Sequence, residues 1–231
     1  MTDRGGGDVE SEALGFAAVP CLNELVEAVV RLVPFGRDAA ITILDLGAGS
    51  GLLAATLLTH FVNARAVLME ESAELRAAAE KRLAAVTGRV EFRQVAFSRE
   101  QLPRGYDLIV TLFGLHGLDD IARRGAYRDI YAALNPEGAF LAAEWIRPPT
   151  NGIASVYADI HTREGRVGGA SKGMFLSIEL PWLATIGFRD IDVHYKNLEY
   201  AVYGARRPPA GDYPIAGTDD GALPARKRRL F

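Results

Sequence analysis

Short continuous apolar runs alternate along the chain with stretches whose apolar residues recur every three to four positions, as buried strands interleaved with amphipathic helices do. From Asn23, residues Leu25, Val26, Val29, Val30, Leu32 and Val33 fall at helical spacing until Pro34 and Gly36 end the run, which predicts a lead-in helix. Residues 40–46 form a short, mainly apolar run, rich in β-branched side chains and followed at once by glycines, which suits a strand buried on both faces of a parallel sheet. The alternation then predicts a helix over 52–61, a strand over 65–69, a helix over 73–86 closed by Gly88, and a strand over 90–95. A strand over 106–112, a helix over 126–134, a turn at Asn135-Pro136-Glu137-Gly138 and a strand over 139–145 follow. After Pro148-Pro149 a polar connection reaches about Lys172, with a helix at 153–162. A helix over 178–186 and strands over 190–195 and 198–205, parted by Lys196-Asn197, predict an antiparallel hairpin at the end.

A length of 231 residues suits one α/β body and leaves no room for a separate large substrate domain. Residues 13–206 are expected to form that domain, between a flexible glycine-containing arm over 1–12 and a tail over 207–231. The hydrophobic share of 49% and charged share of 24% exclude disordered and collagen-like classes. A net charge of -3 offers no general attraction to nucleic acid, and the terminal Arg226-Lys227-Arg228-Arg229 run reads as a solvated tail. The single cysteine, Cys21, can form neither an internal disulfide nor a thiolate metal site, and the cytoplasm is the expected location. No apolar stretch reaches the roughly 18 residues of a membrane span, and the opening residues lack the layout of a secretory signal.

The most informative segment is Ile41-Thr42-Ile43-Leu44-Asp45-Leu46-Gly47-Ala48-Gly49-Ser50-Gly51-Leu52, a buried strand entering three glycines at alternate positions and then a helix. Glycine permits positive φ and puts no Cβ between backbone and ligand, while the following helix aims unpaired N–H groups forward. In open α/β sheets such a ligand lies at the carboxyl ends of the strands. A dinucleotide fingerprint would want a small residue where Leu52 stands, which disfavours a pyrophosphate ligand and a nicotinamide-linked oxidoreductase. Glu70, at the end of the second predicted strand, is placed to accept hydrogen bonds from both ribose hydroxyls, and Glu71 reads as solvated.

Asp45 followed by G-x-G-x-G resembles the first motif of class I S-adenosylmethionine-dependent methyltransferases. The order of elements continues the resemblance through Tyr106-Asp107-Leu108-Ile109-Val110-Thr111, then Leu115-His116-Gly117-Leu118-Asp119-Asp120, then Leu134-Asn135-Pro136-Glu137-Gly138, and finally Trp182–Phe188, over roughly residues 14–206. Val19-Pro20 and the stretch from His194 to Val202 are similar to a group of small bacterial methyltransferases, distantly like carboxy-S-adenosylmethionine synthases. The resemblance implies a Rossmann-like, seven-stranded, mostly parallel sheet with helices on both faces and the antiparallel hairpin at its end. It implies S-adenosylmethionine as methyl donor and a small-molecule acceptor. No membrane or nucleic-acid partner is expected, and a homodimer stays open.

On that reading Gly47, Gly49 and Gly51 face the donor's amino-acid part beside Asp45, Glu70 holds its ribose, and Thr111 approaches the methionyl amine through its backbone. The family's usual adenine-binding acid is absent from Val95-Ala96-Phe97-Ser98, so Phe97 and its neighbour Ala96 are expected to wall the adenine, with backbone or Ser98 making the polar contact, against plain core filling by Phe97. His116 is the candidate base or acceptor contact, against the alternative of a packed structural histidine. Glu144 and Trp145 are expected near the acceptor, and Tyr157 with His161 on one face of a covering helix, for which plain solvent exposure is the competing reading. Transfer from a sulfonium needs no metal, and no metal-ligand spacing stands in the sequence. Two alternatives remain beside a methyltransferase: a binding module that holds the nucleoside without turnover, and a carboxy-S-adenosylmethionine synthase-like enzyme.

Overall fold

The computed structural model describes residues 19–165 and 173–211. The glycine-rich arm, the basic run at 226–229 and the end of the polar connection lie outside the described residues. The sheet comprises β1 (Thr42–Leu46), β2 (Arg65–Met69), β3 (Val90–Arg93), β4 (Tyr106–Leu112), β5 (Leu134–Trp145), β6 (Arg189–Asn197) and β7 (Tyr200–Arg206), in spatial order 3-2-1-4-5-7-6. Only β7 runs against the others, wedged between β5 and β6. The order reverses between β1 and β4, which opens a crevice at their carboxyl ends.

Alternation along each strand divides the core into two layers. Ile43, Leu108, Val110, Leu141 and Val202 meet α1 (Leu22–Leu32), α2 (Leu52–His60) and the end of α3 (Ala73–Arg82) on one face. Leu44, Leu46, Ile109, Phe140 and Tyr203 meet α4 (Asp120–Ala133) and α6 (Leu176–Ile186) on the other. The sheet is thus covered on both sides, as its unbroken apolar strands require.

Several boundaries depart from the periodic reading for identifiable reasons. Helix α4 starts at Asp120, six residues early, because Asp119 Oδ1 accepts from Ala122 N at 2.8 Å and caps a first turn whose one large apolar residue, Ile121, faces solvent. Helix α3 stops at Arg82, and Ala84–Arg89 continues as a 3-10 turn around Val86, whose φ of -126° is not helical. Strand β3 ends at Arg93, two residues before the expected limit. Strand β5 begins at Leu134, ahead of the expected turn and at the end of the expected helix, since Leu134 pairs with Tyr106 and Asn135 Nδ2 donates to Asp107 Oδ1 at 2.8 Å. The hairpin turns at Leu198-Glu199 rather than at Lys196-Asn197. A further helix, α5 (Asn151–Arg163), follows β5 and is capped by Thr150.

Candidate functional site

The loop from β1 to α2 adopts the backbone its glycines permit: Gly47, Gly49 and Gly51 have φ of 63°, 56° and 78°. A Cβ on Gly47 would lie 3.1 Å from the Cα of Gly114, so the glycine loop and the turn after β4 are in close contact. Gly51 has a different reason to be glycine. Its missing side chain points at Ala79 and Leu83 of α3, at 3.1 and 3.2 Å, and so serves helix packing. Arg82 of α3 adds a hydrogen bond from Nε to the Ser50 carbonyl. Glu70 bridges the ends of two strands, accepting from Gly49 N through Oε2 at 2.9 Å and from Ser72 N through Oε1 at 2.8 Å. Its neighbour Glu71 makes an exposed pair with Arg99, which contributes little.

Asp45 lies beneath this loop, fully buried on the face it shares with Ile43. Among the described residues neither of its carboxylate oxygens finds a hydrogen-bond partner. Burial first, and then the negative charge of Glu70, push its pKa up to about 7, against the pull of the nearby Ala54 N–H. A carboxylate so placed is costly unless something cationic or hydrogen-donating completes it. Across the crevice, Ala96 precedes a 3-10 turn at Phe97–Arg99. The buried Phe97 ring would touch a Cβ on Gly47, at 3.7 Å, while Ser98 faces solvent. Phe97 is therefore both core and crevice wall.

The turn after β4 is held from several directions. Thr111 is fully buried, donates its hydroxyl to the Leu46 carbonyl at 2.8 Å and accepts from Gly114 N at 3.0 Å. Its side chain is thus a bracket between the two loops. Phe113 takes a φ of 60°, a left-handed conformation that a bulky residue adopts only when its surroundings enforce it. His116 places Nδ1 2.5 Å from the Phe113 carbonyl and its ring edge-on to Trp145, with centroids 4.8 Å apart. Phe113 and Tyr200 complete an aromatic group around Trp145 at the ends of β4 and β5 and the start of β7.

Glu144 does not face this surface. It is fully buried, with Oε1 accepting from Leu115 N at 2.7 Å. Burial raises its pKa to about 8 despite the Leu115 N–H and the charge of Arg123, which pull it down. Two partners in this network leave no mark on the hydrophobic pattern, Arg123 of α4 and Glu179 of α6, which pair at 3.0 Å with both side chains nearly buried. Gly114 was equally invisible: a Cβ there would meet Thr111 Oγ1 at 2.4 Å and the Leu46 carbonyl at 2.5 Å. A glycine just past a strand, in Phe113-Gly114-Leu115-His116, is the one cue that the sequence offered.

Helix α5 reaches the same edge of the molecule through the hairpin turn. His161 is buried, contrary to simple solvent exposure, with Nε2 2.5 Å from Glu199 Oε1. Tyr157 is half-buried and accepts from Lys196 Nζ at 2.7 Å, the ammonium also lying over its ring. The structure therefore brings Asp45, the glycines, Glu70, Phe97 and Thr111 to one crevice and His116 with Trp145 to its rim. It ties Tyr157 and His161 to the hairpin.

A seven-stranded 3-2-1-4-5-7-6 sheet with one antiparallel strand, and a glycine loop after β1, define the Rossmann-like fold of class I methyltransferases. Residues 43–138 match the family model of a methyltransferase domain. The chain is 34% identical over 93 residues to the release factor glutamine methyltransferase of Koribacter versatilis (strain Ellin345), a stretch that covers 40% of this chain and 32% of that protein. An O-methyltransferase family protein from Burkholderia thailandensis superposes with a TM-score of 0.64 at 18% identity, covering 88% of this chain and 60% of that one. Human N-acetylserotonin methyltransferase in complex with S-adenosylmethionine does so with a TM-score of 0.61 at 19% identity, covering 85% and 54%. The chain thus spans about a third of the curated relative and little more than half of these solved structures, whose likeness is one of fold.

Proposed function

We propose that this protein transfers a methyl group from S-adenosylmethionine to a small-molecule acceptor at the crevice between β1 and β4. The observation that carries the reading is Asp45, a buried carboxylate with no partner among the described residues, set beneath a glycine loop that exposes bare backbone. The donor is cationic at both its sulfonium and its ammonium, so its arrival supplies the opposite charge that Asp45 lacks. Glu70 fits the ribose. Each of its oxygens already holds one backbone N–H and keeps a second lone pair for a hydroxyl. Gly47 and Gly49 admit the amino-acid part, Gly51 holds the loop against α3, and Thr111 keeps the two walls in register. Ala96 and Phe97 bound the adenine side.

When bound, S-adenosylmethionine supplies a methyl carbon already activated toward a nucleophile, the carbon–sulfur pair leaving on a neutral thioether. The residues' task is then to orient the acceptor and take its proton. His116 stands at the rim beside Trp145, in place to accept the proton of an acceptor hydroxyl. Trp145 supplies an apolar wall there, and Tyr157 and His161 act from the covering helix α5.

Isothermal titration with S-adenosylmethionine and with its demethylated product tests this reading. Both are expected to bind, and Glu70→Ala to weaken binding by about 1 to 3 kcal/mol, the scale of charged hydrogen bonds left unmade. Absence of binding to either by folded protein overturns the assignment.

A further inference from the structure

A group of buried ionisable side chains lies under the turn after β4. The buried Arg123 guanidinium pairs with the buried Glu179 at 3.0 Å and with the exposed Asp120 at 2.7 Å, and the buried Glu144 lies near enough to feel its charge. A cluster of this kind is often matched or bettered in stability by apolar side chains of similar volume. Its hydrogen bonds nevertheless converge on one residue, Leu115, and its neighbours. The N–H of Leu115 donates to Glu144 Oε1, its carbonyl accepts from Arg123 Nη1 at 3.4 Å, and the Leu118 carbonyl accepts from the same nitrogen at 2.7 Å.

The next residue is His116. A carbonyl can only accept, so the 2.5 Å contact with the Phe113 carbonyl puts a proton on Nδ1, and in the neutral ring the lone pair is then on Nε2. That contact depends on the left-handed Phe113, a conformation that reverts unless the turn is held.

We propose that Glu144, acting with Arg123, is a positioning residue: by gripping Leu115 at both its N–H and its carbonyl, it keeps the turn in which Phe113 locks His116 in the Nδ1–H form, with Nε2 as proton acceptor. The inference deepens the methyl-transfer reading and rests on it for its purpose. It also explains why a costly buried carboxylate stands one residue before Trp145, which contacts the His116 ring.

Nuclear magnetic resonance of the histidine ring nitrogens tests it without an acceptor. In the full-length protein His116 is expected to populate the Nδ1–H tautomer. Glu144→Leu should shift the tautomer ratio toward Nε2–H by roughly fivefold or more, the effect of losing one restraining hydrogen bond, and should lower the melting temperature because the Leu115 N–H is left buried without its acceptor. Glu144→Gln, whose amide oxygen still accepts from Leu115, should restore the wild-type ratio. If Glu144→Leu does not fold, Arg123→Lys serves, since an ammonium cannot fork to the carbonyls and Glu179 together and should shift the ratio the same way. An unchanged ratio in the folded Leu or Lys variant, or no restoration by Gln, overturns the proposal. Titration of S-adenosylhomocysteine into the same proteins separates the two readings. Failure to bind even wild type defeats methyl transfer and leaves the tautomer result standing.

Discussion

At the scale of single residues, Asp45 makes a measurable demand on pH. Its pKa of about 7 in the folded chain stands above its ordinary 3.8, so between those values only the folded chain holds the proton, and stability falls as pH rises through that window. Above about pH 7 the loss is complete. Asp45→Asn is therefore expected to raise the stability of the ligand-free protein at pH 8 by about 2 to 4 kcal/mol, a gain that fades toward pH 4 and is read by chemical denaturation at the two pH values. Donor binding runs the other way, because a cation prefers the ionised carboxylate. Its affinity should increase up to about tenfold per unit between pH 5.5 and 7 and then level off, and Asp45→Asn should flatten that profile in calorimetry. The motif made Asp45 legible as a neighbour of the glycines. Its isolation was not legible, because it arises from α2 closing over the shared face of β1. Glu144 is a parallel case, readable as a strand-end residue although its partner Leu115 follows only from the β4–β5 register.

At the scale of elements, the two loops that form the crevice are fitted to each other through Gly47 and Gly114. Gly114→Ala would drive a methyl group into Thr111 Oγ1 and the Leu46 carbonyl, an overpacking expected to cost at least about 1 to 3 kcal/mol in urea denaturation and to weaken donor binding with it. Unchanged stability would show that the turn after β4 yields more easily than its hydrogen bonds suggest. The parallel strands were readable because they are apolar on both faces, and β2 and β4 fall at the expected residues. The starts of α4 and β5 were not, for a side-chain cap at Asp119 and a pairing of Leu134 with Tyr106 leave no mark on hydrophobic period.

At the scale of the whole molecule, the antiparallel β7 carries the Leu198-Glu199 turn to the edge where the crevice opens, and α5 is fastened there by His161–Glu199 and Tyr157–Lys196. Glu199→Gln is expected to raise hydrogen exchange across 151–163 several-fold while β1 and β4 keep their protection, and exchange rising evenly everywhere would count against a local fastening. The bond from Gly49 to Glu70 bears on kinetics as well. The cradle is already folded around its carboxylate strut before any nucleoside arrives, so capture should involve little ordering of the chain. Encounter is then governed by diffusion and charge, and residence time sets the differences among ligands.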